Sequence, residues 1–260
     1  MRPLTNIPIK YYKWIIAFLL VVMNCNSTAR ESIRFSCAIP SDSKVYKELL
    51  LLYRNAFNAL NIDFSFISTD PNQSMKYTLQ GHTDGECAAI EKYREITGFS
   101  KTVMVDAPVL TTEIQLWSHN ADETMAVLDN LSTSNLTIGY VQGTKWASDY
   151  LANQQAENVI TVFSLMLGMK MLATQKLDLY LIPDQLAQHA LLASPSLRDA
   201  VHLVGPISTI KFYPYLQLKH QHLVIPLAAE LQRLIGEKQS STTIPSLESI
   251  QPTLKKDDRK

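Results

Sequence analysis

The alternation of extended and helical patterns between Ile33 and Ile90 constrains the fold more than any other feature of the sequence. Ile33 to Ile39 is a β-like apolar run that stops at Pro40, and Ser41-Asp42-Ser43 supplies helix N-cap chemistry. Val45, Leu49, Leu52, Tyr53, Ala56 and Leu60 then recur at helical spacing, which predicts an amphipathic helix over 44–60. Ile62, Phe64 and Phe66 alternate with Asp63 and Ser65, as in a half-buried strand. Asn72 to Gln80 reads as a second helix closed by Gly81, and Asp84-Gly85-Glu86 turns the chain into the strand Cys87 to Ile90. Strands separated by helices pair in parallel through right-handed crossovers, so this order predicts an α/β protein.

The remainder continues the same grammar. Val103 to Val105, Pro108 to Leu110 and Ile114 to Trp117 are extended, and Thr124 to Leu131 is a short helix. Val159 to Phe163 is a β-branched strand, and Ser164 caps a helix over 165–174. Leu177 to Ile182 is an apolar strand broken by Pro183, followed by a helix over 185–192. Ala200 to Val204 is extended as far as Gly205-Pro206, and Lys211 to Leu216 is a last extended segment. Leu223, Leu227, Leu231, Leu234 and Ile235 mark a closing amphipathic helix stopped by Gly236. A helix, a short turn with an aspartate and an apolar strand occur twice, at Asp84 and at Asp178, which suggests two similarly built lobes.

Between them lies Thr137 to Trp146, a short strand that enters a helix through Gln142-Gly143-Thr144. A helix opening of this kind presents backbone N–H groups and the positive end of the helix dipole, which suit a carboxylate or another small anion. The same residues also read as an ordinary βα turn.

Hydrophobic residues make up 46% of the 260-residue chain and charged residues 18%, enough apolar material for real cores. Formal net charge is zero and no basic run is interleaved with aromatics, which argues against a nucleic-acid partner. Arg2, Lys10 and Lys13 precede the apolar run Trp14 to Met23, and Ser27-Thr28-Ala29 places small residues before Arg30. That is the pattern of a cleavable secretory signal peptide over residues 1–29, with an uncleaved anchor as the rival. Its removal takes three cations and leaves the remainder mildly acidic. Cys25 leaves with the leader, so Cys37 and Cys87 are either a bridge or two buried thiols.

Taken together, Tyr46 with the first strand and helix, Asp84-Gly85-Glu86, Ile138 to Thr144, Lys176-Leu177-Asp178 and Lys219 to Leu223 resemble the bacterial periplasmic solute-binding proteins of family 3. That family includes the amino-acid receptors of ABC transporters. The resemblance implies a periplasmic-binding-protein type II fold: two α/β lobes, each a mostly parallel sheet flanked by helices, joined by two crossover strands. Residues 30–112 would begin lobe one, 113–205 would form lobe two, and 206–237 would return to lobe one. Residues 238–260 are expected to be a disordered tail. The crossovers would fall near Thr111 to Trp117 and Gly205 to Lys211. The implied protein is a periplasmic monomer that closes by hinge bending on a small polar or zwitterionic solute and passes it to an ABC permease. It would have no cofactor, metal or catalytic residue. A periplasmic sensor without transport, or an enzyme on the same fold, are the alternatives.

Carried over by position, the ligand residues are Ser41, Tyr46, Arg94, Gly143, Thr144, Lys145, Trp146 and Asp184. Ser41 also reads as a helix cap and Tyr46 as core. Asp184 stands where the family places its amino-group acceptor. The sequence departs from the family at the carboxylate-clamping arginine, because Cys87-Ala88-Ala89-Ile90 has none and Arg94 is the nearest substitute, or a solvated loop cation. Enzyme signatures are missing: there is no Gly-x-Ser-x-Gly, Gly143-Thr144-Lys145 lacks P-loop spacing, and His220 with His222 forms no ligand set.

Overall fold

The computed structural model describes residues 30–93, 95 and 101–242. The leader, Arg94 and residues 243–260 lie outside the described residues. Strands β1 (Ser32–Cys37), β2 (Asp63–Ser68) and β3 (Gly85–Ile90) alternate with helices α1 (Lys44–Ala59) and α2 (Pro71–Gln80), as the patterning requires. Ser43 caps α1, its side chain accepting from Tyr46 N–H, and Asp70 caps α2 through Gln73 N–H with Pro71 in the first turn. There follow β4 (Thr102–Met104), β5 (Leu110–Ser118), β6 (Ile138–Val141), α3 (Lys145–Asn153), β7 (Val159–Val162), α4 (Leu165–Ala173), β8 (Leu179–Pro183) and α5 (Asp184–Ala193). The chain ends in β9 (His202–Gln217), a 3-10 turn and α6 (Val224–Thr242).

One sheet runs through the molecule in the order β2-β1-β3-β9-β5-β8-β6-β7, with β4 also pairing β9. The strands at both ends pair in parallel, whereas β9 is antiparallel to β3, β4 and β5. One buried core gathers β1, α1 and α6 around Phe35, Tyr53, Phe57 and Leu227. Two others fill the second lobe, around Met169, Leu172 and Tyr180 and around Leu116, Ile138 and Leu151. The chain therefore has the two-lobed α/β architecture with two connecting strands, β5 and β9, which pair from Leu110↔Phe212 to Ser118↔His202.

Several local expectations change. The extended segments on either side of Gly205-Pro206 are one 16-residue strand. Register shifts opposite Pro206 and Pro214 let the ladder pass residues that have no N–H to donate. The short helix expected over Thr124 to Leu131 is a 3-10 helix, Met125–Asn130. Pro183 is the last residue of β8, paired with Ile114, rather than a break in it. Gly236 does not stop the closing helix, which runs on to Thr242. Ion pairs of Arg233 with Glu237 and of Lys238 with Glu48 on α1 support that continuation, against a glycine penalty of about 1 kcal/mol. Cys37 and Cys87, left open in the sequence, form a disulfide with Cα atoms 5.1 Å apart. The parallel register that pairs Ser36 with Glu86 places them side by side.

Candidate functional site

A cleft of about 380 Å³ lies between the lobes. Its walls are the C-terminal ends of β1, β2 and β3 on one side and of β6, β7 and β8 on the other, with Leu110, Thr112 and Phe212 from the connecting strands. Open α/β sheets bind ligands outside strand C-termini, because the helix starts and loops converge there. The lining is mostly apolar, and Ile39, Met75, Trp146, Phe163, Ile182 and Phe212 supply much of it.

The turn at Gly143 is the lobe-two centrepiece. Gly143 has φ 84°, and a Cβ there would meet Asn72 of α2 at 2.7 Å (Oδ1), 2.8 Å (Cγ) and 2.9 Å (N). The bare glycine therefore lets lobe two touch lobe one across the cleft mouth. A second contact between lobes is His189 Nε2 on α5 with Asp42 Oδ1 before α1, at 3.4 Å. Thr144 is the N-cap of α3 but makes no side-chain cap bond, and α5, which starts after Pro183, has none either. By contrast α1, α2 and α4 are each capped by their own side chains. No N-cap side chain therefore accepts from the first N–H groups of α3 and α5, and such helix starts suit a ligand oxygen.

The predicted residues divide cleanly. Gly143, Thr144, Lys145 and Trp146 line the cleft, with Lys145 Nζ ion-paired to Asp149 one helical turn on. Asp184 is not in the lining, although Pro183, Gln185 and Leu186 are; its carboxylate accepts from Thr112 Oγ1. Ser41 is exposed and outside the lining, and the capping role belongs to Ser43. Tyr46 is likewise outside it, packed on Phe66 with ring centroids 5.3 Å apart. Arg94 lies outside the described residues.

Sequence reasoning, for which a strand-entry turn is the simpler role of Glu86 and acid–base work the other, does not place it among the ligand residues. Glu86 lies in the cleft floor and is 4% exposed. Ser74 Oγ donates to it at 2.6 and 2.8 Å and Ser36 Oγ at 3.1 Å, within a group of hydroxyls that includes Thr78 and Thr83. Burial pushes its carboxyl up to about 8, against the lowering effect of those hydroxyl bonds. A single glutamate in a strand carries no local mark of this, because the partners come from β1 and α2. Phe163, at the end of β7, is 79% exposed and rims the cleft. Among the described residues no group of three His, Cys, Asp or Glu side chains could hold a metal ion.

No protein-family model matches the chain. An uncharacterised protein of Shewanella oneidensis is 22% identical over 200 residues, covering 76% of this chain and 75% of that protein. Among solved structures, a histidine kinase sensor domain with similarity to periplasmic binding proteins superposes with TM-score 0.67 at 11% identity, over 82% of this chain and 94% of that one. An ancestral arginine-binding protein bound to arginine gives TM-score 0.64 at 11% identity, over 82% and 96%. With two α/β lobes, two connecting strands and a cleft at the strand C-termini, the chain has the periplasmic-binding-protein type II fold.

Proposed function

We propose that the protein is a periplasmic receptor that captures a small amino-acid-like solute, polar or zwitterionic, in the interlobe cleft and delivers it to an ABC permease. The observation that carries the reading is the cleft itself: 380 Å³, apolar in the body, with the uncapped starts of α3 and α5 on one wall. Thr144, Lys145 and Trp146 hold the acceptor end of the ligand in this reading, and Gly143 lets the lobes close over it. Lobe one comprises residues 30–112 and 206–237 and lobe two 113–205, with closure about β5 and β9. Likeness to amino-acid-binding proteins supports the ligand class, and the leader pattern supports export. Among the described residues no helix is long and apolar enough to cross a membrane. A sensory module without transport is the second reading, favoured by the likeness to a histidine kinase sensor domain.

Thermal unfolding against a panel of amino acids, small amines, peptides and organic acids tests the proposal. A true ligand at a hundredfold excess over its Kd adds about 2.7 kcal/mol. Gly143→Ala, which obstructs closure against Asn72, should weaken that ligand at least about tenfold while the unliganded protein still folds. If no compound stabilises the protein, the receptor reading fails.

A further inference from the structure

The two walls of the cleft differ in charge. Among the described residues the lobe-one wall carries no lysine or arginine; its ionisable side chains are Asp70, Glu86 and Tyr93. Asp70 is occupied, since its Oδ1 accepts Gln73 N–H at 2.9 Å as the cap of α2. Among the described residues the side chains that hold Glu86 are neutral hydroxyls from β1 and α2, and its residue borders the cavity beside Ala88 and Ala89. The opposite wall has Lys145 and the uncapped helix starts. A ligand with a positive end and an accepting end therefore fits one way round: cation toward lobe one, acceptor toward α3. Between them the walls are apolar.

We infer that Glu86 receives the ammonium group of the ligand, and that the cleft selects an apolar-bodied primary amine for which a carboxylate is dispensable. The inference rests on the receptor reading above and specifies which half of an amino-acid-like solute is recognised most strongly. Among the described residues the carboxylate buried under these hydroxyls has no counter-charge, and burial pushes Glu86 up to about 8, so near neutral pH the unliganded site holds the neutral acid. An ammonium ion supplies the missing charge, and on binding Glu86 releases its proton to solvent. The titratable groups packed around it are Tyr53 from α1, Tyr93 after β3 and Tyr215, its partner on β9. Burial, and then the proximity of Glu86, pushes Tyr53 and Tyr93 upward, so these phenols stay neutral where Glu86 titrates. Amine affinity should thus rise by roughly tenfold per pH unit up to about pH 8 and then level off.

Calorimetric titration with matched triples decides the matter: phenethylamine, phenylalanine and hydrocinnamate; isoamylamine, leucine and isocaproate. In at least one triple the amine should bind within about tenfold of the amino acid and the acid about a hundredfold more weakly. Glu86→Gln, nearly isosteric, should lose at least about tenfold on the amine and flatten its pH dependence. The wild-type pH profile needs no variant and stands even if Glu86→Gln folds poorly. An acid that binds as well as its amine, or a flat wild-type profile between pH 6 and 8, overturns the inference. So does the absence of binding by all six compounds. If the wider panel still yields a ligand, the receptor reading survives that loss; if it does not, both fall.

Discussion

Lobes one and two share a plan and differ in what holds it together. In each, the first strand pairs in parallel with the next two, β1 between β2 and β3, β6 between β7 and β8. In each, an aspartate ahead of the third strand accepts the backbone N–H of a residue at the start of the first: Asp84 from Arg34 at 3.1 Å, Asp178 from Thr137 at 2.7 Å. Lobe one adds a disulfide and an aromatic cluster, in which Phe57 and Phe64 stack with centroids 4.7 Å apart and Phe35 meets Tyr53 edge-on at 5.4 Å. Lobe two has neither. Its helix α4 is rich in methionine and lies so close to β8 that a Cβ on Gly168 would sit 2.3 Å from the Tyr180 ring. The shared plan accounts for the sheet; the difference shows that lobe one is cross-linked around the buried Glu86, while lobe two relies on close packing.

At neutral pH the largest break in that comparison should come from the disulfide. It closes a loop with a sequence separation of 50 residues, for which chain entropy gives about 4 kcal/mol. The Cys37→Ala/Cys87→Ala double variant should lose about that much in urea unfolding, and a thiol reductant should reproduce the loss in wild type. A reductant that leaves the unfolding midpoint unchanged would count against the bridge.

Next comes Glu86. Its folded-state value is raised above the ordinary 4.5, so the unfolded chain releases the proton first as pH rises. Stability is full below pH 4.5 and falls by about 1.4 kcal/mol per pH unit until about pH 8. Glu86→Gln should remove that slope, and chemical denaturation at several pH values reads it directly. A wild-type slope retained in the variant would assign it to another group.

The smallest effect concerns the matched aspartates. Burial raises the carboxyls of both, but hydrogen bonds more than offset it and hold both below the usual range. Their contribution is therefore present above the unfolded value of 3.8 and lost as pH falls through the lower folded value. Asp178→Ala and Asp84→Ala should each cost about 1.5–3 kcal/mol, since each removes the acceptor of one backbone N–H and of two side chains, Thr137 and His119 for Asp178, Lys219 and His220 for Asp84. A loss below about 0.5 kcal/mol in either variant would mean that its aspartate does not tie the third strand to the first.

Much of this architecture was legible in the sequence, because it is written locally. The Phe64/Phe66 alternation, the spacing from Val45 to Leu60 and the Gly81 cap each depend on neighbours in the chain, and each element formed where its pattern lies. The α3 turn was found for the same reason, and Gly143 through Trp146 do line the cleft. What escaped depends on distant partners. Gly205-Pro206 reads as a break until a register shift against the neighbouring strand accommodates it. Gly236 reads as a stop until ion pairs on either side carry the helix past it. Glu86 reads as part of a strand-entry turn until Ser36 and Ser74, which come from β1 and α2, are brought over it.

The place of β9 in the sheet bears on how the chain is made. Among the described residues the strand between β3 and β5 is the last in sequence, so a chain still being synthesised carries β3 and β5 with open edges. The β3–β9 and β5–β9 ladders cannot both be completed until Gln217 has emerged. Strand pairing at such long sequence separation is slow, and unpaired edges invite association with other chains. The growing polypeptide therefore waits, sticky at its centre, for its final strand.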